Sequence, residues 1–342
     1  MNILCTSEIK DQYVKSFDKV LKKIAKVTYS KKSFFDKQGD YDFILINWPE
    51  ELIGWGHSPN KKEIQDLQTT LYYWSKNTKI IVTMHNTCPH SHRVSVKTVS
   101  ELIYKNANII IHLGKASVSL YKKKYGEFSA EHIVIPHVQM EYLDIISKNE
   151  AREKFGFKKE DVVILVFGSL RKKEEYQFIR KVFTKWSNPN KKLLISKYKD
   201  FSIPPIRFIK KHILPQKEKN VVKNTTRVDD KDIQNYFRSA DIVFVPRLDT
   251  LNSGIVPVSA FFENIAIGGD IGNIQESLNL FNYPIFDVES ATSATRALDT
   301  AYRLSQSNSG PLAKKILKEK CSPDAISKIL KRFLELHQKK SS

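Results

Sequence analysis

Short apolar runs alternate with amphipathic stretches along most of this chain. Residues 1–5 read as a strand, and Val14, Phe17, Val20, Leu21 and Ile24 share one side of a helix expected over 12–24. An apolar strand over 43–47 is bounded by Asp42 and Trp48-Pro49, and a helix follows over 61–75. A strand over 79–84 ends at His85, followed by a helix over 94–106 and a strand over 109–113. A helix over 115–125 is closed by Gly126, and a strand over 133–135 ends at Pro136-His137.

A short helix over 150–154 precedes a second series of the same kind. Strands are expected over 162–167, 192–196, 243–245, 265–267 and 284–286, and helices over 291–305 and 323–338. Segment 201–224, rich in Pro and Lys, carries no clear element. The stretch from Asp241 to Leu278 is the most informative. Its apolar run ends in a polar loop, Arg247 to Ser253, and Gly254 starts a helical segment. Ile265-Ala266-Ile267 then runs into Gly268-Gly269-Asp270, and Gly272-Asn273 leads to a second helix. Strand, loop, helix, repeated, is the grammar of a parallel α/β sheet.

A length of 342 residues fits two domains of about 150 residues each. The expected division is 1–150, 151–322, and a last helical piece, 323–342. Two such α/β halves are expected to face a central cleft, because open parallel sheets take ligands outside the carboxyl ends of their strands. No repeat of fixed short period is present.

Composition narrows the partners. Lys plus Arg is 56 against 37 for Asp plus Glu, a net charge of +19 spread in short clusters. That balance calls for an anionic partner: a phosphorylated substrate, an anionic membrane surface or nucleic acid. No basic–aromatic motif supports nucleic acid. Three cysteines without a CxxC argue for a reducing compartment rather than a disulfide framework. The N-terminus lacks a signal-peptide core, and no run approaches a membrane span. A cytoplasmic protein, peripheral at most on the inner membrane face, is the expectation.

The candidate chemistry sits just after expected strands. Gly168-Ser169-Leu170-Arg171-Lys172-Lys173 is a glycine turn followed by cations suited to a diphosphate, with Arg171 offering a bidentate fork; a solvated basic helix start is the plainer reading. Asn252-Ser253-Gly254 brings backbone donors to a helix start, where phosphate is welcome, although Asn and Ser are also ordinary caps there. In the first half, His85-Asn86 could orient a hydroxyl or exchange a proton near neutral pH. Trp48 stacks on a sugar ring or fills a core gap, and Glu50 and His137 are further candidates for that site. His85, Cys88, His90 and His92 match no standard zinc spacing and lack a second ligand pair; no metal and no cofactor are expected.

These pieces resemble the nucleotide-sugar glycosyltransferases of the GT-B fold, especially the family 4 type of bacterial capsule and exopolysaccharide clusters. The matching residues are Asn47-Trp48-Pro49-Glu50, Met84-His85-Asn86 with Pro89-His90, Ile135-Pro136-His137, Phe167-Gly168-Ser169-Leu170-Arg171, Asp241-Ile242-Val243, Leu251-Asn252-Ser253-Gly254 and Gly272-Asn273-Ile274-Gln275-Glu276. They occur in family order over nearly the whole chain. The resemblance implies two Rossmann-like domains, acceptor-binding then nucleotide-sugar-binding, with the last helix crossing back to the first. It implies metal-independent, configuration-retaining hexosyl transfer from a UDP- or GDP-sugar to a saccharide or lipid-linked saccharide. His85 and Arg171 would be catalytic; Gly168, Ser169, Arg171, Lys172, Lys173, Asn252, Ser253 and Gly254 would hold the donor; Trp48, Glu50, His85, Asn86 and His137 would face the acceptor.

The chain departs from the family pattern in the donor domain. Leu251 and Ser259 stand where many members carry a glutamate pair, and Glu174 stands where a lysine often follows the arginine. A non-catalytic GT-B protein that binds a sugar nucleotide or a partner transferase is therefore the competing reading.

Overall fold

The computed structural model describes residues 1–86, 94–126, 130–201 and 218–338, and the chain divides into two compact units: residues 1–140 with 318–342, and residues 141–317. The units change at Met140/Glu141 and at Leu317/Lys318.

In the first unit, β1 (Asn2–Cys5), β2 (Lys26–Tyr29), β3 (Phe43–Ile46), β4 (Lys79–Met84), β5 (Ile109–His112) and β6 (Glu131–Val134) form a parallel sheet in the order β2-β1-β3-β4-β5-β6. All four residues of β3 and of β5 are buried, as expected of a parallel sheet covered on both faces. The helix Gln12–Lys22 is capped by Asp11, whose carboxylate accepts from Val14 N at 3.0 Å, and it buries Tyr13, Val14, Phe17, Val20 and Leu21. The last helix, Pro323–His337, packs on that same helix. Lys23 pairs with Asp324 at 2.8 Å, and Gln338 donates to Asp42 at 2.9 Å.

In the second unit, β7 (Val162–Ser169), β8 (Lys191–Lys197), β9 (Val221–Lys223), β10 (Ile242–Phe244), β11 (Ile265–Gly269) and β12 (Ile285–Phe286) form a second parallel sheet in the order β12-β11-β10-β7-β8-β9. Arg152, 4% exposed, braces its amino-terminal side. It donates to Ser239 O, Lys158 O, Lys159 O and, at 2.7 Å, to Asp241.

Both sheets reverse their strand order once. The chain leaves β1 for β2 on one side and β3 on the other, and it leaves β7 for β8 on one side and β10 on the other. The carboxyl ends of β1/β3 and β7/β10 are therefore the topological switch points, where open α/β sheets take their ligands. Among the described residues, no helix is long and apolar enough to cross a membrane.

Candidate functional sites at the two switch points

At the β7/β10 switch, two loops are tied together by one buried carboxylate. Glu175, in the helix Lys173–Lys185, is 1% exposed. It accepts from Arg247 Nη1 at 3.0 and 3.2 Å and from Arg171 N at 2.6 Å. Arg247, directly after the β10 run, also donates through Nη2 to Ser169 O at 3.1 Å. Gly168 N donates to Ser196 Oγ at 2.8 Å, holding the end of β7 to β8. The Arg171 guanidinium reaches Thr250 Oγ1 at 3.4 Å. Burial, followed by the Arg247 charge, pushes its pKa below the ordinary value. Lys172 pairs with Asp249 and is held charged by it, while Lys173 and Glu174 begin the helix with exposed side chains.

Asn252, Ser253 and Gly254 lie in the next loop, which docks on the start of the helix Gly272–Leu280. Asn273 N donates to Leu251 O and Asn273 Nδ2 to Asn252 Oδ1, each at 2.8 Å. Gly272 sits at φ +50°, and a Cβ there would lie 2.7 Å from Leu251 O. Ser253 Oγ accepts from Ile255 N at 3.4 Å, at the start of the short helix Ile255–Phe261. Leu251 and Ser259 are buried, and Ser259 Oγ donates to Ile255 O at 2.8 Å. The two positions thus carry packing and a helix-internal bond.

At the β1/β3 switch the aromatic candidates converge on Tyr13, a residue that the sequence did not single out. Tyr13 meets His85 edge-on at 4.7 Å, His137 at 5.1 Å and Trp48 at 5.7 Å between centroids. Trp48 stacks on His85 at 4.3 Å and 17°. His137 Nδ1–H donates to Val138 O at 3.0 Å, and burial lowers its pKa. The Tyr13 hydroxyl is buried with no hydrogen-bond partner among the described residues, and burial raises its pKa. Trp48, Glu50, His85 and Asn86 line a polar recess with Asn47, Thr83 and Ser100. Its free space is about 10 Å³, the room of one water or one hydroxyl group. Asn47 Oδ1 accepts from Thr83 Oγ1 at 3.0 Å, which fixes the recess floor.

The structure thus gathers Trp48, Glu50, His85, Asn86 and His137 in the first unit, and Gly168, Ser169, Arg171 and Lys172 in the second, where Asn252, Ser253 and Gly254 follow Thr250 in a loop held by Asn273. Cys88, Pro89, His90 and His92 lie outside the described residues. Among those described, no group of three or more His, Cys, Asp or Glu residues could hold a metal. Sequence reasoning missed Arg247, Glu175, Thr250 and Tyr13. The one signal available was a lone arginine directly after an apolar run.

No family model matches the chain, and no curated protein matches it. Solved structures do. The structure of Anabaena HepE in complex with UDP-glucose superposes with a TM-score of 0.68 at 12% identity, over 98% of this chain and 100% of that one. Sucrose-phosphate synthase from Thermosynechococcus elongatus gives 0.62 at 12% identity, over 91% and 80%. The catalytic domain of starch synthase IV from Arabidopsis thaliana, bound to ADP and acarbose, gives 0.61 at 12% identity, over 90% and 74%. The fold is the two-domain α/β arrangement of these proteins, GT-B.

Proposed function

We propose that the protein is a glycosyltransferase that moves a hexose from a nucleotide-diphosphate sugar to a saccharide or lipid-linked saccharide. The observation that carries this reading is the β7/β10 switch point, where Arg171 and Arg247 stand at the ends of two adjacent central strands around a single buried carboxylate. That arrangement leaves net positive charge beside backbone donors, the chemistry of a departing diphosphate. Solved neighbours of the same fold that hold UDP-glucose or ADP support it.

In the retaining, metal-independent reaction we infer, the bond between the anomeric carbon and the diphosphate oxygen breaks, and its electron pair leaves with the diphosphate. The acceptor oxygen bonds to the same face of that carbon, and its proton passes to the leaving phosphate. Arg171 stabilises the charge that develops, and Arg247 with Glu175 holds the loop that presents it. In the first unit, the hydroxyl-sized recess beside His85 takes one hydroxyl of the acceptor. A place in capsule or exopolysaccharide assembly, with peripheral attachment to an anionic inner membrane face, suits the charge of +19.

The buried Leu251 and Ser259 favour a second reading, a GT-B protein that binds the sugar nucleotide without transferring it. Melting curves with UDP-, GDP- and ADP-sugars test the common part, because a ligand of the folded state raises its stability by mass action. Release of UDP or GDP, with or without added oligosaccharides, separates the two. A chain whose melting none of these nucleotides shifts is neither.

A further inference from the structure

We propose that Trp55 is the platform of a second carbohydrate subsite on the first unit, carrying the apolar face of a pyranose ring of the acceptor; this rests on the reading of that unit as the acceptor side. Trp55 is 56% exposed, unlike the buried Trp74 and Trp186. It stands between Gly54 at φ +95° and Gly56 at φ +76°, backbone conformations that glycine adopts at no steric cost. The turn is anchored. His57 Nε2 lies 2.9 Å from Glu63 Oε1, and Glu63 closes a capping box with Asn60 at the start of the helix Lys61–Asn77. A held turn therefore displays the indole, and a two-torsion side chain loses little entropy when a ligand covers it.

The indole borders a recess of about 170 Å³ whose walls include Ile53, Val96 and His57. Glu50 lines it too, and Glu50 also lines the hydroxyl-sized recess beside His85. Trp55 and Trp48 lie 6.3 Å apart between ring centroids. The two recesses thus adjoin, with Glu50 in both walls and the Trp48–Trp55 pair beside them. A pyranose ring presents an apolar C–H face and a rim of hydroxyl donors, which match an indole face flanked by a carboxylate. The acceptor this surface fits is therefore a saccharide of two or more rings, one at the His85 recess and the next on Trp55.

The test is an array of immobilised mono- and oligosaccharides probed with the fluorescently labelled full chain, its Trp55→Ala variant and its Trp55→Tyr variant. Each is melted with and without UDP in parallel. Binding to oligosaccharides over the matching monosaccharides, weakened by at least about tenfold in Trp55→Ala and largely kept in Trp55→Tyr, is the expected result. No bound saccharide, or equal binding by Trp55→Ala, overturns the subsite. An intact UDP shift in that case leaves the nucleotide reading standing, and a missing UDP shift with Trp55-dependent binding removes the donor reading alone.

Discussion

Arg247 grips both carboxylate oxygens of Glu175, at 3.0 and 3.2 Å, with 7% of the arginine and 1% of the glutamate exposed. The same carboxylate accepts from Arg171 N, so a single ion pair joins the loop after β10 to the loop after β7. Removing one partner strands the other charge. Arg247→Met should cost on the order of 3–5 kcal/mol of stability in urea unfolding. A loss under about 1 kcal/mol would mean that the pair behaves like an exposed one and does not organise the loops.

Arg171 differs from Arg247: its backbone N–H serves Glu175, but among the described residues its guanidinium pairs with no carboxylate and reaches only Thr250 Oγ1, at 3.4 Å. Arg171→Ala should therefore leave folding nearly unchanged and act on the diphosphate. Transfer, or release of UDP from UDP-sugar, should slow by about 2–4 kcal/mol. The melting shift with UDP should shrink while that with uridine does not. A rate within about twofold of the parent removes Arg171 from the chemistry.

Central strands were legible in the sequence because both of their faces are covered, as the unbroken burial of β3 and β5 shows. β2, with Lys26 exposed and the rest half-buried, and β9, three half-buried residues, lie at sheet edges and present no apolar run to detect. The candidate residues were legible where a strand ends, since a switch point turns that position into a ligand-facing one. Their partners were not. Arg247 and Glu175 are 72 residues apart and meet only through the strand order. Tyr13 precedes the run of Val14, Phe17, Val20, Leu21 and Ile24, and their spacing did not single it out.

His112 offers a pH signature in the first unit. Ser117 Oγ donates to Gly114 O at 2.7 Å, so it accepts from His112 Nδ1–H at 2.9 Å, and His112 Nε2 accepts from His132 Nδ1–H at 2.9 Å. Burial, then the charge of His132, pushes the His112 pKa down from 6.5 to about 3. The folded state thus holds the neutral ring, and its contribution is complete above the unfolded value and lost as pH falls below it. Between pH 7.5 and pH 5 the parent should lose about 2 kcal/mol more than His112→Gln. Urea midpoints at the two pH values read this directly, and parallel losses would show that the ring titrates normally.

Gly272 controls the loop that carries Asn252. At φ +50° and with the space of a Cβ already taken by the Leu251 carbonyl, 2.7 Å away, any side chain must push the two backbones apart. That displacement breaks the Asn273 N to Leu251 O bond and draws Asn252 from Asn273 Nδ2, each now 2.8 Å. Gly272→Ala should cost about 1–3 kcal/mol of stability. If the loop contributes to diphosphate binding, the variant also loses the UDP melting shift at a temperature where it is still folded. Asn273→Ala removes the side-chain bond without adding bulk at Gly272, and should reproduce the weaker UDP shift with a smaller stability loss. Unchanged UDP binding in both variants would exclude the 251–254 loop from the donor site, whatever their stability.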